Sequence, residues 1–508
     1  MALIRTPGRA DDGAVEEFGA YQTHVSRLVF TAERVFKWKR PVRFGFLDFT
    51  APAARRRACE AEVALNRRLA PDVYEGVGEF SWPGGATEPV VVMRRLPDDR
   101  RLSTLVRADD PGVVAAVMDV AATLVAFHRR ADRGPHVDRD CTADALGRLW
   151  ETNLEEIRQL GPGIIDPGLL DAAGQAASRY LAGREGLIAG RLIDGRAVDG
   201  HGDLMSDDTF VLDDGPRILD CLEFDDRLRH LDVLADAASL AMDLERLGRS
   251  DLARIFLGTY RDLSGDDWPD SLAHLHIAYR ATVRAKVACI RALELGAVAG
   301  AGDARQARIL TAQAMDHLRA GAVRMVVVGG LPGTGKTTVA HRLSDATGWP
   351  VLSSDVARKL LAGLEPGADA TAAFGSGIYS EDMTALVYEE LLGEAAGHLS
   401  RGRSVIVDAS WIRECWRDAA REVARREVAD FVPIRCRVPS DLARARIAAR
   451  SRTQRQASDA TPAIHDQMAA ALEPWIDALT LDTSQGVEQA VQTALGAMGL
   501  LEPAEPDA

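Results

Sequence analysis

At 508 residues the chain is longer than one hydrophobic core supports and divides into two or three domains. A hydrophobic content of 47%, a charged content of 27% and a formal net charge of −14 describe an ordinary globular composition, and the charge argues against a general affinity for nucleic acid or anionic membrane, which leaves small molecules as the expected partners. The six cysteines are scattered with no Cys-x-x-Cys pair, which argues for a reducing cytoplasm and against a structural zinc site. No charged stretch followed by an apolar run opens the sequence, and no apolar segment approaches the ~18 residues of a membrane span, so a cytoplasmic protein is expected.

From Thr23 to about Val92 the pattern reads as short strands, a helix and further strands, punctuated by Pro and Gly. Val35-Phe36-Lys37-Trp38-Lys39 alternates, so a strand there points Lys37 and Lys39 to one face and Phe36 and Trp38 to the other. A helix is expected from Arg55 to Leu69, with Glu62 available to pair with one of the lysines. The competing reading is a surface strand that carries two solvated lysines. Farther on, His201-Gly202-Asp203-Leu204, Asp207-Asp208 and Ile218-Leu219-Asp220-Cys221-Leu222-Glu223-Phe224 deliver carboxylates from short apolar segments to turns. Asp203 suits a base or orienter for an attacking hydroxyl, and Asp220 a Mg²⁺ ligand, because phosphoryl transfer needs positioning and charge neutralisation. A carboxylate-rich surface hairpin is the alternative.

Taken together, residues 20 to about 300 resemble the aminoglycoside phosphotransferase-like branch of the protein-kinase fold. Val35-Phe36-Lys37 looks like that family's lysine strand, Glu62 resembles the helix partner of the lysine, and Val91-Val92-Met93-Arg94-Arg95-Leu96-Pro97 is similar to the hinge that receives adenine. His201-Gly202-Asp203-Leu204 resembles the catalytic loop, Asp220 the metal-binding aspartate, and His230-Leu231-Asp232 with Asp236-Ala237-Ala238 the helix that follows. The resemblance implies nucleotide contacts from Lys37, Glu62 and Met93 and metal contacts from Asp208 and Asp220. Asp208 stands where the family has Asn, Met205 where it has a second His, and Thr23-His24-Val25-Ser26 where a glycine-rich loop is usual. These departures keep a non-catalytic nucleotide-binding domain in view.

Residues 295–303 form a small-residue stretch before a helical run from Ala304 to Leu318, which reads as a linker and helix between two domains, 1–320 and 321–508. Then Met325-Val326-Val327-Val328 feeds Gly329-Gly330-Leu331-Pro332-Gly333-Thr334-Gly335-Lys336-Thr337-Thr338. This is a Walker A P-loop, with the strand before it and the helical pattern after it that the motif requires. Its amides and helix N-terminus attract phosphate, Lys336 reaches the β- and γ-phosphates, and the Thr337 hydroxyl can ligate Mg²⁺. Asp355 ends a second short strand, where it suits a general base, with Arg358 one helical turn on as an anion clamp. The competing reading of Asp355 is a helix N-cap. Asp408 ends a third strand and fits a Walker B carboxylate. Arg444, Arg446, Arg450 and Arg452 crowd a later helix, where Arg446 and Arg450 share a face that suits a lid over the triphosphate or a solvated cationic surface.

This half, from about Met325 to Trp475, resembles the P-loop small-molecule kinases that include gluconate kinase, zeta toxin and the kinase part of polynucleotide kinase. Asp355 and Arg358 look like the substrate base and clamp of those enzymes. Gly377-Ile378-Tyr379-Ser380, Asp408-Ala409-Ser410 with Arg417, and Ser458-Asp459-Ala460 are similar to their other blocks. The two-part order resembles bacterial fusions described as aminoglycoside phosphotransferase and ATP-binding protein. The implied fold is α/β and α+β, a bilobal protein-kinase-like domain followed by a doubly wound P-loop domain. The implied activity is ATP- and Mg²⁺-dependent transfer of the γ-phosphate to the hydroxyl of a sugar, polyol, aminoglycoside-like or nucleoside-type acceptor. The alternatives are a regulatory protein whose first half binds nucleotide or metabolite without catalysis, and a toxin-like kinase of nucleotide sugars.

Overall fold

The computed structural model describes residues 3–5, 19–22, 25–44, 47–81, 87–365, 377–450 and 461–501. Two compact units emerge. The first comprises residues 1–174, 188–268 and 275–315, and the second 175–187, 269–274 and 316–508.

An antiparallel sheet opens the first unit, with strand order Leu3–Arg5, Tyr74–Ser81, Thr87–Arg94, Arg34–Lys39, Ser26–Phe30 and Gly19–Gln22. The helix Pro52–Asn66 starts with Pro, whose fixed φ and missing N–H suit a first turn. Its Cys59 and Val63 pack with Val35, Tyr74, Val91 and Met93 on one side of the sheet. Phe36 and Trp38 point to the other side with Phe80, Val90 and Val92, and the Trp38 and Phe80 rings stack at 5.7 Å. The alternation read from the sequence therefore holds, but the lysine strand is not a surface strand. Lys37 and Lys39 are both buried, because the helix that carries Glu62 covers their face.

The remainder of the unit is mostly helical. Every residue from Val233 to Leu244 in the helix Val233–Arg246 is buried, and Asp232 caps that helix by accepting from the Leu234 amide at 2.8 Å. The expected linker at 295–303 is instead the turn between two helices, Asp270–Ala299 and Ala301–Ala320. Close approach explains its small residues: a Cβ on Gly300 would lie 2.3 Å from the Ala292 carbonyl oxygen. The division between units falls within the second of these helices, after Met315.

A five-stranded parallel sheet forms the centre of the second unit, in the order Val351–Ser353, Val405–Asp408, Arg324–Gly329, Asp430–Arg437 and Leu479–Asp482. Continuous apolar runs such as Met325-Val326-Val327-Val328, wholly buried, are what a sheet covered on both faces requires. Val326, Val328, Ile406 and Ile434 pack on Val339, Leu343, Val491 and Leu495 of the helices Lys336–Thr347 and Val487–Ala497. Helices Glu381–Ser400 and Glu414–Arg426 also pack on the central strands. Because the first strand lies between the third and fourth, its carboxyl end opens a crevice at a topological switch point, where such sheets bind ligands.

Candidate functional site

The P-loop occupies that crevice. Gly333 adopts φ 81°, and a Cβ there would lie 2.5 Å from the Ala443 carbonyl oxygen, so the loop can close only around glycine. The loop is braced from outside. Thr334 donates to the Leu331 carbonyl at 2.7 Å, Thr483 donates to the Thr334 carbonyl at 2.5 Å, and His465 Nδ1 donates to the Pro332 carbonyl at 2.8 Å. Arg446 donates to the Thr483 carbonyl at 3.0 Å, which holds this arginine beside the loop. The side chain of Arg450 and residues Arg452 and Ser458-Asp459-Ala460 lie outside the described residues.

Lys336 begins the helix Lys336–Thr347, so its amide and those of Thr337 and Thr338 belong to the positive end of the helix. The Thr337 hydroxyl donates to Asp408 Oδ2 at 2.7 Å. Asp408 is 2% exposed, and its Oδ1 is buried with no hydrogen-bond partner. Burial pushes this carboxyl up, against the pull of Lys336 and of the Thr337 hydroxyl. A carboxylate oxygen left without a partner beside a Walker A threonine fits a cation that completes its coordination. Thr337 and Asp408 therefore fit Mg²⁺, and the glycine loop fits the phosphates that would accompany it.

Asp355 is half-buried in the first turn of the helix Ser354–Leu361. Ser353 takes the N-cap position there, so the capping reading of Asp355 does not apply. Its charge is felt by Asp408 and by Arg358, which places it electrostatically at the crevice. Arg358 is buried and engaged: it donates to the Ile378 carbonyl at 2.8 Å and to the Thr384 hydroxyl at 3.2 Å, with its guanidinium 5.0 Å from the Tyr379 ring centre. In this arrangement it braces the turn Gly377–Tyr379. Arg417 is likewise buried and donates to the Trp411 carbonyl at 3.0 Å and the Pro474 carbonyl at 2.7 Å, a scaffold for the chain beyond Asp408.

In the first unit a second set of charges converges. Glu62, fully buried, pairs through Oε1 with Lys37 at 2.8 Å and through Oε2 with Lys39 at 2.7 Å. Lys37 also pairs with Asp220, and Lys39 with Glu223. Asp220 adopts a left-handed φ of 66°, an uncommon conformation for a non-glycine residue and one often retained at functional positions. Protein packed around the Asp220 carboxyl pushes it up, but the Lys37 ammonium overrides this and holds it at about 2. Asp208 shows the opposite outcome. Burial first, then the charges of Asp220 and Asp203, push its carboxyl up to about 8. Its surroundings thus favour the protonated form of Asp208. Asp203 pairs with Arg284 at 3.1 Å. Met93 lies in the core beneath the sheet, at the end of the strand Thr87–Arg94. Among the described residues, no group of three or more His, Cys, Asp or Glu side chains is arranged to hold a metal ion.

The backbone of the His201-Gly202-Asp203 segment is fixed from below. Asp236 accepts from the amides of His201 at 2.6 Å and Gly202 at 2.9 Å, and pairs with His128 Nε2 at 3.1 Å. Burial pushes the Asp236 carboxyl up, yet these donors hold it well below the usual range. His201 donates through Nε2 to the Leu219 carbonyl at 3.0 Å, which ties the loop to the segment that carries Asp220.

Residues 325–475 match the AAA domain family. The uncharacterized protein Rv2004c of Mycobacterium tuberculosis (strain ATCC 25618 / H37Rv) is 40% identical over 479 residues, covering 93% of this chain and 94% of its own length. The uncharacterized protein Mb2027c of Mycobacterium bovis (strain ATCC BAA-935 / AF2122/97) matches to the same extent. The chain belongs to the family of these mycobacterial proteins. Among solved structures, a gluconokinase from Sinorhizobium meliloti 1021 matches 36% of this chain and 93% of its own at 18% identity and a TM-score of 0.27. The GDP and kanamycin complex of APH(2")-IIia matches 60% of this chain and 93% of its own at 14% identity and a TM-score of 0.39.

Four further residues contact the candidate sites: Lys39, Glu223 and Asp236, which the sequence motifs contain without fixing a role for them, and Arg284, which no motif contains. A charge inside an apolar run was the available signal for two of them, Glu223 in Leu219–Phe224 and Asp236 in Val233–Leu240. Nothing local marks Arg284, whose partner Asp203 is 81 residues away in sequence.

Proposed function

We propose that the protein is an ATP-dependent phosphotransferase with two nucleotide sites, each serving transfer of the γ-phosphate to the hydroxyl of a small molecule. The observation that carries this reading is the Thr337 to Asp408 hydrogen bond at 2.7 Å beneath a complete P-loop, with the second Asp408 oxygen buried and unpartnered. Mg²⁺ would be held by Thr337 and Asp408 in the second unit and by Asp208 and Asp220 in the first, where it neutralises phosphate charge. Lys336 and the loop amides bind the phosphates. Asp355 orients the acceptor hydroxyl and takes its proton as the hydroxyl oxygen forms its bond to phosphorus and ADP leaves. Arg358 serves as an acceptor clamp by way of the turn Gly377–Tyr379 that it braces. In the first unit Asp203 has the role of base, Lys37 that of phosphate contact, and Glu62 that of orienter. Met93 has a place beside the adenine, and Arg446 and Arg450 serve as lid residues near the triphosphate.

A second reading, in which the first unit binds nucleotide without turnover and regulates the second, is favoured by Arg284, which occupies Asp203 at 3.1 Å. The test is a screen of sugars, polyols, aminoglycosides and nucleosides for acceptor-stimulated ADP release by the full chain, repeated with Lys336→Ala and with Asp203→Asn. Each productive acceptor should lose on the order of a hundredfold in turnover in one of the two variants. An acceptor whose turnover survives both would defeat the proposal. If Asp203→Asn removes none, the regulatory reading of the first unit stands.

A further inference from the structure

From the linked charges Lys37, Lys39, Glu62, Asp220 and Glu223 of the first unit, we infer that Lys39 and Glu223 are a positioning pair that keeps Lys37 aimed at the phosphates of a bound nucleotide. This rests on the reading of the first unit as a nucleotide site. Glu62 has two carboxylate oxygens and two cations, Lys37 at 2.8 Å on one and Lys39 at 2.7 Å on the other. Glu62 is fully buried, the Lys39 side chain is 1% exposed and the Glu223 side chain 6%, so none of the three can turn to water for a replacement partner. The Asp220 side chain is 46% exposed. The network thus has a closed end, Lys39 with Glu223, and an open end, Lys37 with Asp220.

The consequence follows from partner counting. Lys37 has three N–H donors, of which Glu62 and Asp220 engage two, and Glu62 is the buried partner that sets its direction toward a phosphate. With Lys39 in place, one Glu62 oxygen is committed to that ion pair and the other remains for Lys37 alone. Without Lys39, the vacated Glu62 oxygen is buried without a partner, and Lys37 is drawn onto both oxygens and away from the phosphates. Without Glu223, Lys39 keeps an uncompensated buried charge and competes with Lys37 for Glu62. Glu223 follows Asp220 by three residues, so one short segment supplies partners to both lysines.

The test labels the full chain with an acyl-phosphate derivative of ATP, which acylates a lysine lying against the bound phosphates and releases ATP, and reads the modified residue by peptide mass spectrometry. Lys37 and Lys336 report the two sites separately. The wild type should label at both. Lys39→Met and Glu223→Gln should lower Lys37 labelling about tenfold or more, the size of effect typical of groups that orient a ligand, with Lys336 labelling unchanged. Lys39→Arg should recover most of it. The double variant Lys39→Met with Glu223→Leu removes both charges together, a replacement that buried pairs commonly tolerate, and should still label poorly at Lys37 while it melts like the wild type. Wild-type-like labelling of Lys37 in the double variant overturns the positioning role while leaving the nucleotide site standing. Loss of labelling only in variants with a lowered melting temperature also overturns it, since a structural role then suffices. No labelling of wild-type Lys37 beside normal labelling of Lys336 overturns the nucleotide reading of the first unit, and the pair's role with it.

Discussion

Asp355 and Asp408 end neighbouring parallel strands or begin the chain that follows them, yet their surroundings divide their work. Asp408 is sealed beneath the Thr337 hydroxyl at the P-loop, whereas Asp355 is half-buried in the first turn of a helix. Asp355→Asn should therefore keep Mg-nucleotide affinity within about threefold and lower transfer to the acceptor on the order of a hundredfold or more. Calorimetry and single-turnover kinetics separate the two. A large loss of nucleotide affinity would move Asp355 to the metal. Gly333→Ala should abolish nucleotide binding at the P-loop, since its Cβ would meet the Ala443 carbonyl at 2.5 Å and its φ of 81° disfavours any side chain. A nucleotide titration of that variant with retained circular dichroism checks this. The P-loop was legible because every residue that builds it is consecutive. The Lys39 to Glu223 pair was not, because its partners are 184 residues apart and the burial that gives the pair its meaning comes from a third segment, the Glu62 helix.

At the scale of elements, the helix Asp270–Ala299 carries a further titratable group inward. Burial lowers the His276 imidazole from 6.5 to about 4, against the raising pull of Asp232 and with the help of Arg191 and Arg280. A depressed folded-state value means that the neutral form is the one the fold accepts. Its contribution is fully present above about pH 6.5 and is lost as the pH falls toward 4, by up to about 3 kcal/mol across that window. His276→Gln should melt with a shallower pH dependence between pH 6.5 and 4 than the wild type, as measured by thermal denaturation across that range. If the two curves run parallel, His276 is not the group that charges. Strand and helix positions around the two sites followed from periodicity and turn residues. The turn at Gly296 and Gly300 did not, because small residues that permit two helices to touch look, in one dimension, like small residues that permit a linker to bend.

For the molecule as a whole, two sites predict a stoichiometry. A non-hydrolysable ATP analogue with Mg²⁺ should bind twice per chain by calorimetry, and Lys336→Ala should leave a single binding event. Chelation of Mg²⁺ should weaken both. One event in the wild type, abolished by Lys336→Ala, would leave the second unit as the only nucleotide site. The second unit also draws on chain that precedes its P-loop. Tyr180 and Ser271 meet at 2.9 Å, Ser271 donates to the Gly402 carbonyl at 2.6 Å, and Arg184 donates to the Glu427 carbonyl at 2.6 Å, all within that unit. On the ribosome, these early pieces leave the exit tunnel long before the strand they belong with. The second unit cannot complete itself until its last strand, Leu479–Asp482, has been made, and a fragment beginning at residue 316 lacks parts of its own core scaffold. Such a fragment should melt well below the same unit in the intact chain, and gene truncation is a poor way to separate the two units, whereas point variants in the 508-residue chain keep both intact.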